Sequence, residues 1–471
     1  MDVSVYSLGA AQEVTGSKHI LQVGDDLYLI DCGAFQGKRA ESDAKNRDFN
    51  VPCEKLKAVI LTHGHYDHCG LIPLLAVKGY DGCIYSTPAS RDIANLVMMD
   101  SARIQARDAE YLSKQAAKKG DVFTWKPLFS EADVIKVINQ FVTISYRRPT
   151  FLSSNVLLEF FDAGHILGSS MALFTIIDGD KKLKIAFTGD LGRRGKAIIR
   201  DPDVLPSVDY IVMESTYGNR RHDSQSDALS ILKKKVKELV RNRGKMIIPA
   251  FAVERTQELV YYFHLLVDKG EIPSIPIYVD SPMAVNATTI FQTHPECYDD
   301  ETYQAFIKHH KNPFGFNSLK FITSVNESKE LNEIDGPMII ISADGMCEFG
   351  RVVHHLYNNI EKSSTIILLV GFMAADTLGR RLQEGEREVK ILGERLRVAG
   401  EVLQINAFSA HADYVESKEW LERCDVSSLK GIFLVHGEED AQNYFKQYLE
   451  DAHYPNIEII KYGATYKLEW S

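Results

Sequence analysis

The sequence predicts an α/β protein in which a parallel-sheet domain is inserted into a strand-rich first domain. Three observations carry this. Short apolar runs each end in a polar residue, the way an α/β scaffold delivers side chains to one sheet edge. From about residue 208, strands alternate with helix-length segments, which indicates a parallel sheet flanked by helices. Residues of the same polar type recur after that segment, so the chain leaves the first domain, builds a second and returns. A chain of 471 residues with 45% hydrophobic and 25% charged content is ordinary for a globular protein of this size.

The elements follow in order. Leu27-Tyr28-Leu29-Ile30 reads as a strand leading into Asp31. Ala58-Val59-Ile60-Leu61-Thr62 is apolar and β-branched, hence a buried strand, and leads into His63-Gly64-His65-Tyr66-Asp67-His68. Cys69 onward reads as a helix start. Strand-like runs at 157–164 and 183–189 lead into His165 and Asp190, and Gly431-Ile432-Phe433-Leu434-Val435 leads into His436. The inserted part reads as strands at 210–213, 246–249, 275–279, 338–341 and 366–370. Helices are expected at 224–243, 254–269 and near 351–360. Lys233-Lys234-Lys235 reads as the solvated face of the first of these helices. The expected domains are 1–207, 208–375 and a return at 376–471, the two bodies facing each other across a cleft.

The chemistry centres on residues 63–68, where three imidazoles and one carboxylate occupy a strand-to-helix loop. Imidazole nitrogen and carboxylate oxygen suit zinc, and a site without thiolates and with spare positions is catalytic in type. Four ligand-grade residues exceed what one tetrahedral zinc with an open position needs, so two metals are expected. Asp31, His165, Asp190 and His436 extend the set.

Composition excludes several classes. Seven cysteines without paired spacing imply neither a disulfide framework nor a thiolate zinc site, which makes a reducing, cytoplasmic setting the default. The first residues show no basic segment followed by an apolar one, so no signal peptide is expected. The longest apolar runs, such as 366–370, are too short to cross a bilayer, and no membrane partner is expected. A net charge of −10 argues against broad, tight, sequence-blind binding of long duplexes.

The set Asp31, His63-x-His65-x-Asp67-His68, His165 and Asp190 resembles the metallo-β-lactamase superfamily, and the later segments look like its nucleic-acid-processing branch, the β-CASP family. Glu214 in Met213-Glu214-Ser215-Thr216-Tyr217-Gly218 matches that family's motif A. His411 in Phe408-Ser409-Ala410-His411-Ala412-Asp413 matches motif B, and His436 in Val435-His436-Gly437-Glu438 matches motif C. The motifs occur in the family's order and span essentially the whole chain. They are most similar to the subfamily of the 73-kDa cleavage and polyadenylation specificity factor subunit, which includes bacterial and archaeal ribonucleases.

The resemblance implies an αββα metallo-β-lactamase sandwich carrying an inserted α/β β-CASP domain. It implies two Zn²⁺ per chain. His63, His65 and His165 would hold one, Asp67, His68 and His436 the other, and Asp190 would bridge them. A bridging hydroxide would attack the phosphodiester. Asp31 would orient a ligand, and His411, held by Glu214, would protonate the leaving oxygen. His65 stands where flavoprotein relatives carry a carboxylate, which favours zinc over di-iron. Single-stranded RNA is the expected substrate, and a homodimer is an admissible assembly. A DNA nuclease or a small-molecule hydrolase on the same scaffold are the alternatives. His436 speaks against the first, since the DNA-repair branch has Val there. The inserted domain and the Glu214–His411 pair speak against the second. The chain stops about 35 residues after motif C and begins on its first strand, so neither the extra domain of the ribonuclease J group nor the N-terminal RNA-binding domains of archaeal relatives is expected. Endonucleolytic cleavage is the reading that follows.

Substrate grip is expected from the second domain. Ser342-Ala343-Asp344-Gly345-Met346-Cys347-Glu348-Phe349-Gly350-Arg351 is a strand end, a glycine loop and a helix start. Backbone N–H groups of Ser342, Gly345, Met346 and Gly350 would meet phosphate there, with Arg351 adding charge. Ser281, in the family-like loop Asp280-Ser281-Pro282-Met283-Ala284, and the Arg380-Arg381 pair are further candidate contacts.

Overall fold

The computed structural model describes residues 1–470 except 223, 309–311, 313, 372, 374 and 375. Its contacts divide the chain into two compact units. The first comprises Met1–Lys196, Arg200–Arg221 and Ala410–Ser471, the second Ala197–Ile199 and His222–Ser409. The sequence reading changes domain at 208 and 376, whereas the contacts change at His222 and Ala410. Strand pairing explains the difference. Tyr210–Glu214 lies between Lys181–Phe187 and Gly431–Val435 in a first-unit sheet, while Glu401–Ile405 pairs with Ile366–Val370 in the second unit. The expected boundary at 375 lies outside the described residues.

The first unit holds two seven-stranded sheets. One runs, in spatial order, Tyr466–Lys467, Val3–Ser7, His19–Val23, Asp26–Ile30, Leu56–Ile60, Ile84–Ser86 and Phe141–Thr143. The other runs Ile457–Ile459, Gly431–Val435, Tyr210–Glu214, Lys181–Phe187, Ser170–Asp178, Val156–Asp162 and Thr150–Ser153. Their inner faces share one core, with Val5, Leu21, Tyr28, Ile30 and Ile60 from the first and Leu158, Phe160, Phe174, Phe187, Val212 and Phe433 from the second. This is the period-2 consequence of β-branched and aromatic residues placed on alternate positions. The second sheet's other face packs Ile211, Met213 and Leu434 against Trp420, Leu421, Phe445 and Leu449 of helices Tyr414–Arg423 and Glu439–Asp451. Helices Ile72–Val77, Pro88–Lys119 and Glu131–Ile138 pack against one another beside the first sheet's edge strand Phe141–Thr143.

Local chemistry sets the helix ends. The 32-residue helix Pro88–Lys119, which periodicity did not single out, starts where Thr87 accepts from the Ser90 N–H and Pro88 pre-sets the first turn. It ends at Gly120 in the left-handed region, φ 75°. The helix expected from Cys69 onward is two short ones, Tyr66–Cys69 and Ile72–Val77.

The second unit is built on a six-stranded sheet ordered Leu319–Phe321, Ile277–Val279, Met338–Ser342, Lys245–Pro249, Ile366–Val370 and Glu401–Ile405, with every pairing parallel. Lys245–Pro249, Met338–Ser342 and Ile366–Val370 are buried along their whole length, as in a sheet covered on both faces. Helices Gln225–Arg241, Arg255–Asp268 and Gly350–Asn359 lie where the sequence places them. The lysine run is not simply solvated. Lys235 is half-buried, and its Nζ meets Glu401 at 2.5 and 2.7 Å and Glu238 at 3.1 Å.

Among the described residues no helix is long and apolar enough to cross a membrane. All seven cysteines are free, and only Cys83 is exposed.

Candidate metal centre

Five strand ends of the first unit deliver side chains to one place. Asp31 follows Asp26–Ile30, His63 follows Leu56–Ile60 by two residues, and His165 follows Val156–Asp162. Asp190 follows Lys181–Phe187, and His436 follows Gly431–Val435 directly. Two of these residues, Asp31 at φ 62° and His436 at φ 51°, sit in the left-handed region that non-glycine residues avoid. Such strain persists where surrounding structure over-determines it. Glycine is required at two supporting positions. A Cβ on Gly33 would lie 1.6 Å from the Asp67 carbonyl oxygen, and one on Gly189 (φ 53°) would lie 2.7 Å from Thr62 Oγ1.

The side chains form two groups. His63, His65, His165 and Asp190 bring one ligand atom each within 4.8 Å of one another, and so do Asp67, His68 and His436. In the first group His65 Nδ1 lies 3.1 Å from His63 Nε2 and 3.2 Å from His165 Nε2. In the second, His68 Nε2 lies 3.2 Å from His436 Nε2, and His436 Nε2 lies 3.4 Å from Asp67 Oδ2. Asp190 faces both groups with different oxygens. Its Oδ2 is 3.3 Å from His63 Nε2 and 3.4 Å from His165 Nε2. Its Oδ1 is 3.2 Å from His68 Nε2 and 3.6 Å from His436 Nε2.

The outward nitrogens are held in place. Asp31 Oδ2 meets His68 Nδ1 at 2.7 Å, and the same carboxylate accepts from the Thr62 N–H and hydroxyl, both at 2.8 Å. Thr62 Oγ1 also meets His63 Nδ1 at 3.1 Å, and Thr216 Oγ1 meets His436 Nδ1 at 3.0 Å. Such contacts fix ring orientation and tautomer. Thr62 and Thr216 were not singled out from sequence, although each lies within or beside a quoted motif. For Thr62 the available signal was its place directly before His63; Thr216 lies 220 positions from His436, and no such signal marks it.

The electrostatics fit cations. Burial pulls His63 and His65 down to about 4 and His165 well below the usual histidine range, so their nitrogen lone pairs are free at neutral pH. For His68, burial is outweighed by Asp190 and Asp31, which raise it well above that range. Burial opposes ionisation of Asp67 and Asp190, but the surrounding imidazoles hold both carboxyls well below the ordinary carboxylate range. His165 Nδ1 and Asp190 Oδ1 are buried without a hydrogen-bond partner. The neutral imidazoles of His63, His65 and His165, the ionised carboxylates and the orphaned Asp190 Oδ1 are the kind of donors a divalent ion such as zinc takes.

Beside this set stands a third group, Asp190, Glu214 and His411. His411 Nδ1 meets Glu214 Oε1 at 3.0 Å and Oε2 at 3.1 Å, and lies 3.9 Å from Asp190 Oδ2. Glu214 is itself fixed, accepting from the Leu191 N–H at 2.7 Å and the Thr216 N–H at 3.3 Å. Burial would lower His411, but Glu214 and Asp190 raise it to about 9. Its side chain is one-fifth exposed, so it can meet a substrate.

Comparison with known proteins agrees with this geometry. Residues 19–249 match the metallo-beta-lactamase superfamily, 256–382 the Beta-Casp domain, and 395–460 the Zn-dependent metallo-hydrolase RNA specificity domain. A relative from Thermus thermophilus, "Ribonuclease TTHA0252", is 32% identical over 93% of this chain and 93% of its own length. The chain belongs to the β-CASP family of the metallo-β-lactamase superfamily. "Transcription termination factor FttA" from Methanosarcina mazei is 30% identical over 98% of this chain and 71% of its own, and the protein of that name from Methanocaldococcus jannaschii is 31% identical over 93% and 67%. A crystal structure of a protein of unknown function from Enterococcus faecalis, 13% identical, shares the fold over 99% of this chain and 100% of its own with a TM-score of 0.54.

The β-CASP insertion holds the residues expected to grip substrate, and their partners are mostly internal. The helix start before Gly350–Asn359 already has its anion. The Asp344 carboxylate accepts from the N–H groups of Met346 (2.5 Å), Glu348 (3.0 Å) and Phe349 (3.0 Å). The expected phosphate cradle is therefore filled by the chain's own carboxylate. Gly350 takes φ 75°, and Gly345 rests against the Phe251 ring, so their roles here are conformational. Ser342 Oγ donates to the Asp280 carbonyl at 2.9 Å, and Ser281 caps the helix Pro282–Thr293. Arg351 does not project as a loose charge. Its NH1 reaches Asp280 Oδ1 at 2.5 Å and its NH2 the Thr323 carbonyl at 2.6 Å. Asp280 also engages His355 Nε2 at 2.6 Å and Ser328 Oγ at 2.5 Å. Arg380 and Arg381 pair with Glu384 and Glu386 at 2.6 and 3.0 Å.

This placement predicts a stability effect. Arg351→Ala removes the guanidinium paired with the fully buried Asp280 carboxylate, and should cost about 3 kcal/mol of folding stability. Denaturant melts of the protein check this. An unchanged melt with weakened RNA affinity would return Arg351 to the substrate-contacting role expected from sequence.

Proposed function

We propose that this chain is a zinc-dependent ribonuclease that hydrolyses phosphodiester bonds of single-stranded RNA and cuts within the strand. The observation that carries the reading is Asp190, whose two oxygens face two separate ligand groups. His63, His65 and His165 would hold one zinc, Asp67, His68 and His436 the second, and Asp190 would serve both. When bound, zinc brings the pKa of water down to about 7 and withdraws charge from a phosphoryl oxygen. Support for RNA comes from the names of the relatives and of the domain matched at 395–460.

The chain's own residues supply the rest. Asp31, Thr62 and Thr216 fix the outward nitrogens of His68, His63 and His436, so that the other ring nitrogens face inward. Glu214 holds His411 through Nδ1, which leaves Nε2 as the atom that carries the transferable proton. His411 donates that proton to the leaving ribose oxygen as the P–O bond breaks, and the Glu214 carboxylate stabilises its cationic form beforehand.

The test uses single-stranded and duplex RNA labelled at one end, with and without a chelator. Internal cuts on the single strand, abolished by the chelator and restored by zinc, are expected, and sequencing the new 5′ ends locates them. Cleavage indifferent to the chelator would overturn the metal-dependent reading. Products released only as mononucleotides from one end would overturn the endonucleolytic part. Metal analysis of gently purified protein should give close to two zinc equivalents, and His436→Ala should lose one. A steady single equivalent in both proteins would refute the two-metal assignment.

A further inference from the structure

A small cavity of about 10 Å³ lies beside the ligand groups, lined by His19 together with Asp31, His68, Asp190 and His436, with apolar walls including Phe187 and Val212. That volume is about what one water molecule needs. His19 opens the strand His19–Val23, is 6% exposed, and has no place in the chemistry described above. Its cross-strand partner is Ser7, whose hydroxyl meets His19 Nδ1 at 2.7 Å. Ser7 thereby fixes the ring and directs Nε2 elsewhere. Burial brings His19 down to about 3, so the ring is neutral and offers one N–H.

The polar groups around the cavity differ in how they are satisfied. Asp31 is engaged by Thr62 and His68, and His436 Nδ1 by Thr216. Asp190 Oδ1 is buried without a hydrogen-bond partner. A carboxylate oxygen has two lone pairs, so it can face an ion and accept a hydrogen bond together. Residues that hold metals have their remaining polar atoms hydrogen-bonded as a rule, and around Asp190 Oδ1 the described residues supply only the ligand-group nitrogens of His68 at 3.2 Å and His436 at 3.6 Å.

We propose that His19 is a positioning residue for Asp190, holding its carboxylate through one buried water in this cavity. With Ser7 donating to Nδ1, the His19 Nε2–H donates to the water and the water donates to Asp190 Oδ1. This fixes the plane of the carboxylate, and with it the split of its two oxygens between the two ligand groups. The proposal rests on the metal reading given above.

Two substitutions and one structure test it. His19→Leu removes the donor and leaves an apolar side chain of similar bulk, while His19→Gln offers an amide N–H near the position of Nε2. Zinc affinity is measured by chelator competition, and the metal-free melting temperature is measured alongside. His19→Leu is expected to lose about 10–100-fold in zinc affinity, the usual cost of removing a ligand's hydrogen-bonding neighbour. The metal-free melt should not fall, and His19→Gln should recover most of the loss. A high-resolution crystal structure should show the water between His19 and Asp190. A purely structural role predicts the reverse, with a lowered melt and unchanged zinc affinity, and that result overturns the proposal. Should His19→Leu fail to fold, Ser7→Ala decides. Freeing the ring should weaken zinc binding by a smaller factor, and unchanged affinity together with a dry cavity overturns the proposal. Wild-type protein that takes up no zinc would instead refute the metal reading itself.

Discussion

Asp190→Asn is expected to abolish zinc retention and with it RNA cleavage. The substitution keeps the shape but removes the charge and introduces two N–H donors where cations would sit. Asp190 is the residue that both ligand groups share, with contacts of 3.2–3.6 Å to His63, His68, His165 and His436. The loss of affinity should exceed the roughly 10–100-fold that follows loss of a ligand's hydrogen-bonding neighbour. Metal equivalents after gel filtration, together with cleavage of labelled RNA in added zinc, measure it. Retention of two equivalents with near-normal turnover would show that the two groups do not share a ligand.

His411→Ala should lose about 10²–10⁴-fold in turnover on RNA while keeping both zinc ions, as expected for a missing general acid. The deficit should shrink on a nitrophenyl phosphodiester, whose leaving group departs without a proton. His411 meets Glu214 at 3.0 and 3.1 Å but only approaches Asp190 at 3.9 Å, so its removal leaves the two ligand groups complete. Equal losses on both substrates would make His411 a ligand or a binding residue.

The arrangement also explains why the two substitutions should separate. Asp190 is 1% exposed, with imidazole nitrogens of His63, His68, His165 and His436 at 3.2–3.6 Å from its oxygens. His411 is one-fifth exposed and held from behind by a carboxylate that is 2% exposed. One is placed to bind ions and the other to meet a leaving group.

Much of this was legible in the chain itself. Ligand-grade residues at the ends of apolar strands can be read locally, because strand period and residue type both survive in the sequence. His63, His65, Asp67 and His68 lie within six positions, and Asp31, His165, Asp190 and His436 each close a strand-like run. The parallel sheet of the second unit was legible for the same reason, since strands such as Met338–Ser342 are apolar throughout. The exchange of domains was less so. Tyr210–Glu214 and Glu401–Ile405 look alike as strands, and only pairing assigns the first to one unit and the second to the other.

What the tertiary structure alone decided concerns partners distant in sequence. His68 meets His436 across 368 positions, and His411 meets Glu214 across 197. Which ring nitrogen faces inward depends on Asp31, Thr62 and Thr216, and no spacing rule shows that. The loop 342–351 makes the same point in the other direction. Its glycines and helix start promise a phosphate cradle, but the Asp344 carboxylate folds back onto those N–H groups and Arg351 turns to Asp280. A sequence specifies which groups can bind an anion or a cation; whether those groups are already satisfied is settled by hydrogen bonds and charges that meet only when the chain has folded.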